Sequence, residues 1–354
     1  MNGKRFARLS ISMTLALLIL VGTLQITIDP LFQYHKPWFG LEPVITDERY
    51  QNAGVAKNFD YNNAIIGTSM SQNFRLSEVN DIFGGTTVKL TFSGSSFLDW
   101  TYILRMMQDN DSEIDNILIN IDTSALGASS KELRHPLPEY LYDDNVFTDI
   151  CYWFNFSIIN DFSVGMIKKN IINDIPDYEN AFCWDSKYKL GKTITLESYN
   201  MLLQKDPSQV FLSISREEYF RNQNENIKLI SPYIDSMKNT DFVFFFSPYS
   251  LLYWYSNHDE ETMRIIEDSY TDACQNLLSH SNVQIYLFTD KEMLEMISNL
   301  DNYKDSKHYG RPVSQAILNR IKTGAGRLTL ENYNQELSEF FNYIENFNYD
   351  ALFE

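Results

Sequence analysis

Apolar and polar positions along the chain change rhythm several times. From Leu9 to Ile28 apolar residues run almost unbroken, centred on Leu15-Ala16-Leu17-Leu18-Ile19-Leu20-Val21, with Lys4, Arg5 and Arg8 ahead of them. About 20 such residues make a helix long enough to cross a bilayer. Basic residues before the run favour a cytoplasmic N-terminus, with everything after it outside. Ser10, Ser12, Thr14, Thr23 and Gln25 dilute the run, so a cleavable signal peptide is the rival reading. Neither a small-x-small cleavage site nor a lipobox cysteine follows, and an uncleaved single-pass anchor over residues 1–30 is expected. Asp29-Pro30 breaks the helix. A connector over 31–58 begins with Phe32, Tyr34, Trp38 and Phe39, aromatic residues suited to the membrane interface or to the base of a domain.

The pattern then alternates. Strands are expected at 63–67, 87–92 and 115–121, with helices at 77–83 and 97–107 between them, which reads as βαβ units of a parallel sheet. From about 127 to 239 this rhythm is lost among Pro136, Pro138, acidic turns and aromatic helical segments at 147–159 and 217–229. That stretch is expected to be a largely helical insertion, a cap rather than an independent domain. The alternation returns with the apolar strand 241–246, a helix at 260–278, a last strand at 283–288 and a closing helix at 312–322. Leu330, Tyr333, Leu337, Phe340, Phe341 and Ile344 recur at helical spacing and predict an amphipathic C-terminal helix. The fold class is therefore α/β: an N-terminal transmembrane helix, then one parallel-sheet domain over 59–354 with a helical insertion.

Composition narrows the partners. The formal net charge of -18 argues against nucleic acid, which needs a basic footprint. It also means that an anionic polymer would require a local basic patch. Aromatic residues make up 14% of the chain, enough for a substantial core. Cys151, Cys183 and Cys274 form no CxxC or zinc pattern and read as core thiols. No dinucleotide, P-loop or metal motif appears, and no cofactor or metal is expected.

The chemistry gathers in two short blocks. Ser69, in Gly67-Thr68-Ser69-Met70-Ser71, follows the strand Ala64-Ile65-Ile66 and so stands at the mouth of the sheet. Asp305-Ser306-Lys307-His308 closes the alternating region. A serine hydroxyl needs a neighbouring base, itself oriented by a carboxylate, and Asp305 lies one helical turn from His308. Ser69 is thus the expected nucleophile, His308 the base and Asp305 its orienter. The bland alternative for Ser69 is a helix N-cap. Ser71, His135 and Asp301 are the rival nucleophile, base and carboxylate. Asp122, Thr123 and Ser124, after the third strand, are candidate substrate contacts. Tyr249, Tyr253, Trp254 and Tyr255 read as core, lid or a sugar-stacking platform, with Tyr249 the candidate contact.

In order and separation these blocks resemble the SGNH (GDSL-like) hydrolase superfamily. Within it, the match is to the membrane-anchored branch that acylates cell-surface polymers, including DltD-type proteins of teichoic acid D-alanylation and alginate O-acetylation proteins. The resemblance spans roughly residues 60 to 325 as an order of elements. It implies a flavodoxin-like three-layer domain and an acyl-Ser69 mechanism. It also implies an oxyanion hole from the N–H groups of Ser69 and Gly94 and an asparagine after the third strand. Here that strand ends Asn120-Ile121-Asp122-Thr123, so Asn120 is the only asparagine near the position and lies inside the strand. The function implied is transfer or hydrolysis of a small acyl group, acetyl or D-alanyl in type, on a cell-wall, teichoic-type or exopolysaccharide glycan outside the membrane. The implied partner is a membrane O-acyltransferase. A non-catalytic glycan-binding or scaffold subunit is the alternative.

Overall fold

The structure is a computed structural model, described over residues 3–110, 113–205 and 214–354. The part of the expected insertion at 206–213 lies outside the described residues. The described residues fall into two compact units. The first is drawn from Met1–Phe59, Met106–Asn110 and Leu137–Tyr178, and the second from Asp60–Arg105, Asp111–Pro136 and Glu179–Glu354. The stretch read as one insertion is therefore divided, with 137–178 grouped with the apolar helix and the connector.

The first unit is organised around one helix, Gly3–Ile28, which is long and apolar enough to cross a membrane. It ends where Asp29, at positive φ, turns its carboxylate back to accept the N–H groups of Gln33 (2.9 Å), Tyr34 (2.7 Å) and His35 (3.0 Å) and the Tyr152 hydroxyl (2.6 Å). A carboxylate so supplied with donors fixes the turn that the sequence marks as a break. The connector is not wholly irregular, because Asp47 caps a helix at Glu48–Asn58 by accepting from Arg49 and Tyr50 N–H. Phe32 is buried against Phe59, whereas Phe39 is exposed. The helix expected at 147–159 is broken into a turn at Ile150–Trp153 and a π-helix at Ile158–Val164, followed by a helix at Gly165–Ile172. Cys151 is exposed, so only Cys183 and Cys274 are the core thiols anticipated.

The second unit is the α/β domain. Its six strands are β1 (Asn63–Ile66), β2 (Thr87–Lys89), β3 (Asn116–Ile121), β4 (Asp241–Phe246), β5 (Val283–Tyr286) and β6 (Arg327–Leu328), in the order β2-β1-β3-β4-β5-β6. All pairings are parallel except that of β5 with β6, a short antiparallel edge strand that the hydrophobic pattern does not announce. Two residues are too few to show a period. β3 and β4 are paired along six positions, Asn116 with Asp241 through Ile121 with Phe246, and are buried almost throughout. Continuous apolar runs of this kind are what a sheet covered on both faces requires. The chain order reverses between β1 and β3, so right-handed crossovers put the helices on opposite faces. One set packs 76–83 and 291–298 against 311–323; the other packs 216–236 and 333–346 against 260–277. The reversal leaves a crevice at the carboxyl ends of β1 and β3, where open α/β sheets bind ligands.

Candidate active site

At that crevice β1 ends and the chain turns sharply. Gly67 has φ +136, and a Cβ there would lie 2.1 Å from the Asn120 side-chain oxygen. Only glycine fits, since both the backbone angle and the close approach exclude a side chain. Ser69–Ser71 form a single 3₁₀ turn capped by Thr68, whose hydroxyl accepts from Met70 N–H. The N-cap reading of Ser69 is replaced by this arrangement. Its Oγ instead lies 2.8 Å from His308 Nε2.

The relay continues without a gap. His308 Nδ1 is 2.8 Å from Asp305 Oδ2 and 3.0 Å from Oδ1. Asp305 Oδ1 also accepts the backbone N–H groups of Lys307 (2.9 Å) and His308 (2.8 Å), which fix the carboxylate independently of the imidazole. Burial pushes the Asp305 carboxyl up, but the His308 hydrogen bond and charge, with the two backbone donors, hold it down at about 2. Asp305 is therefore a permanent anion behind the imidazole.

Three further side chains frame the turn. The Trp184 indole N–H donates to the Ser69 carbonyl at 3.0 Å, and its ring meets His308 edge-on at 5.4 Å between centroids. Asn73 accepts Trp184 and Asp185 N–H (3.1 Å each) and donates to the Tyr309 carbonyl (3.0 Å). The buried Lys89 ammonium bridges the carbonyls of Gln72 and Ala181 at 2.8 Å each, with Cys183 Sγ at 3.2 Å. Burial pushes the Lys89 ammonium below its usual range. The serine turn, the 181–185 segment and the 308–309 loop are thus one hydrogen-bonded body. Sequence reading missed Trp184, Asn73 and Lys89, which lie far apart in the chain and carry no local motif.

The expected oxyanion donors separate. The backbone N–H groups of Ser69 and Gly94 have no hydrogen-bond acceptor among the described residues, and Gly94 takes φ +66. Asn120 is committed elsewhere. Its Oδ1 accepts Thr68 N–H (2.9 Å) and Ser71 Oγ (2.7 Å), and its Nδ2 donates to Thr68 Oγ1 (3.1 Å) and Ser247 Oγ (3.2 Å). Fully buried and with both amide hydrogens used, Asn120 holds the serine turn to the sheet and has no donor left for a substrate oxygen.

The candidate substrate contacts also require correction. Asp122 accepts from Thr68 Oγ1 and from the Tyr249 hydroxyl, and Thr123 Oγ1 pairs with Tyr253 OH at 2.8 Å. Thr123, Tyr249, Tyr253 and Trp254 are at most 1% exposed, so they are core and not a sugar platform. Burial and the Asp122 charge raise the Tyr249 hydroxyl far above its ordinary range, which keeps it a neutral donor. Among the rivals, Ser71 is buried on Asn120, and Asp301 accepts Lys192 N–H. His135 is exposed, with Nε2 2.6 Å from where a Gly94 Cβ would stand, and the imidazole within hydrogen-bond distance of Ser69 is that of His308.

No family model matches this chain, and no curated protein matches it. A solved structure described as that of "a putative platelet activating factor from Streptococcus pneumonia" is similar over 88% of this chain and 97% of its own, at 10% identity and a TM-score of 0.37. A likeness that loose assigns neither a family nor an activity.

Proposed function

We propose that this chain is a membrane-tethered serine acyltransferase or esterase of SGNH type, acting outside the cytoplasmic membrane on an ester-linked acyl group of a cell-surface glycan. The observation that carries the reading is the unbroken Ser69–His308–Asp305 relay. Ser69 Oγ attacks the acyl carbonyl while His308 Nε2 takes its proton, and the Asp305 anion stabilises the resulting imidazolium. The oxyanion is held by the free N–H groups of Ser69 and Gly94. The intermediate collapses to acyl-Ser69 as His308 returns the proton to the departing alcohol. A hydroxyl of the acceptor, or water, then repeats the steps in reverse. The helix Gly3–Ile28 supports an anchored protein, and the basic residues before it support an N-in orientation. The resemblance in the site blocks supports an acetyl or D-alanyl type of group and a membrane O-acyltransferase as donor partner.

The test is labelling of the full-length protein in detergent with a fluorophosphonate probe, together with turnover of p-nitrophenyl acetate. Both should occur with the wild type and vanish in Ser69→Ala. His308→Ala should lose several orders of magnitude in rate, because members of a triad act as a unit. Asp305→Asn should fold and label slowly. Acceptor glycan should accelerate acyl-enzyme turnover if the enzyme transfers, and leave it unchanged if it hydrolyses. Folded wild-type protein that does not label would favour the scaffold alternative.

A further inference from the structure

The apolar helix Gly3–Ile28 is bare of protein over only part of its length. From Phe6 to Leu20 all its large hydrophobic residues are exposed, whereas Gly22 and Gln25 are buried in the first unit. Beyond Arg8 the bare stretch is Leu9–Leu20, twelve residues that at 1.5 Å each cover about 18 Å, and a bilayer's hydrocarbon core is about 30 Å thick. The missing ~12 Å cannot come from the N-terminal side, where Lys4, Arg5 and Arg8 resist burial in hydrocarbon. It must come from the next eight residues, Val21 to Ile28, the end of the helix. At that level the helix is already in protein contact. The Phe154 ring stands 3.6 Å from where a Gly22 Cβ would be, and Ser163 Oγ donates to Gln25 Oε1 at 2.7 Å.

The segment tied to the helix at this depth presents apolar side chains outward. Phe147 is 86% exposed, Phe156 80% and Ile171 78%, and Ile150, Val164 and Ile172 are each more than half exposed. Leaving such residues in water is unfavourable by about 25 cal/mol per Å² of apolar surface, and so many within one short segment mark a contact. Lys168 and Lys169 adjoin Ile171 and Ile172, the pairing of basic and apolar residues found at membrane surfaces.

We infer that residues 146–172 form a second membrane contact, lying in the headgroup–acyl boundary of the leaflet that the helix reaches at its C-terminal end, with phospholipid acyl chains against Phe147, Ile150, Phe156 and Ile171. This rests on the reading of Gly3–Ile28 as a membrane span. The segment is continuous with that span through Gly22–Phe154 and Gln25–Ser163, and its depth of about 5–10 Å is that of interfacial helices. The first unit is thus seated in lipid by more than its one helix.

Cys151, exposed in this segment, allows a test without a substitution, since Cys183 and Cys274 are buried. The full-length wild type, spin-labelled at Cys151, is reconstituted into vesicles of phosphatidylcholine and phosphatidylglycerol, and accessibility to oxygen is compared with that to a water-soluble nickel chelate. Phe147→Cys, Ile171→Cys, Leu17→Cys and Leu330→Cys, each in a Cys151→Ser background, are measured alongside. Labels at 147, 151 and 171 should favour oxygen several-fold over the Leu330 site, with Leu17 more strongly so. A water-like response at 147, 151 and 171 with a lipid-like one at Leu17 would overturn the interfacial seat while leaving the span intact. A water-like response at Leu17 as well would overturn both. Labels shielded from both reagents in vesicles would mean that a second copy covers the face, and that too would overturn the inference.

Discussion

Asn120→Ala distinguishes two roles that the asparagine at the end of β3 could fill. In the structure its side-chain oxygen is the acceptor for Thr68 N–H and Ser71 Oγ, and its nitrogen reaches Thr68 and Ser247. Truncation removes the acceptor from two buried donors at once. Each stranded group costs about 1–3 kcal/mol, so the expected loss of stability is about 2–6 kcal/mol, towards the lower end if water enters the space. The serine turn loses its tie to the sheet in the same step, and the labelling rate should fall with it. Stability is read from urea titration of the full-length protein in detergent, followed by tryptophan fluorescence, and the rate from fluorophosphonate labelling of the same samples. Loss of an oxyanion donor would leave a different signature. The rate would drop about 10²–10³-fold with the stability nearly unchanged. A stability loss under about 1 kcal/mol together with such a rate loss would refute the assignment of Asn120 as a clamp.

Trp184→Phe keeps a ring beside His308 and deletes the donor to the Ser69 carbonyl; a cost of about 1 kcal/mol in stability and a severalfold slower labelling are expected, and unchanged labelling would remove Trp184 from the frame. Asp305, ordinarily near 3.8 and held at about 2, contributes about 2 kcal/mol of stability that is fully present above pH ~4 and lost as the pH falls from ~4 to ~2. Asp305→Asn should flatten the stability profile in that window, and a profile identical to the wild type's would contradict the depressed value. Gly94→Ala sets a Cβ against the exposed His135 ring at φ +66, so a loss of about 1–2 kcal/mol is expected. A fall in labelling larger than that stability loss explains would mark the Gly94 N–H as an oxyanion donor.

Local patterns in the sequence determined a good deal. The strand Asp241–Phe246 and the helices near 97–108, 260–277 and 311–323 are written in continuous or 3.6-periodic apolar runs, because burial of one face selects them whatever the rest of the chain does. The anchor helix is legible for the same reason. The pairing of Ser69 with the Asp305–His308 turn is expected from chain order together with the family resemblance of the two blocks, since residues that follow parallel strands gather at the carboxyl ends of the sheet. Other features depend on contacts between segments far apart in sequence, and only the tertiary structure decided them. Asn120 near the end of β3 and Asp122 just past it sit two residues apart, and nothing local says that one clamps the serine turn and the other accepts from Thr68 and a buried Tyr249. Trp184, Asn73 and Lys89 find their carbonyls and amides across segments that share no motif. Residues 137–178 read as part of a cap because their polarity is mixed. Their exposed Phe147 and Phe156 acquire meaning only beside a helix whose bare length falls short of a bilayer. Periodicity records which face of an element is buried; which partner buries it is a property of the folded chain.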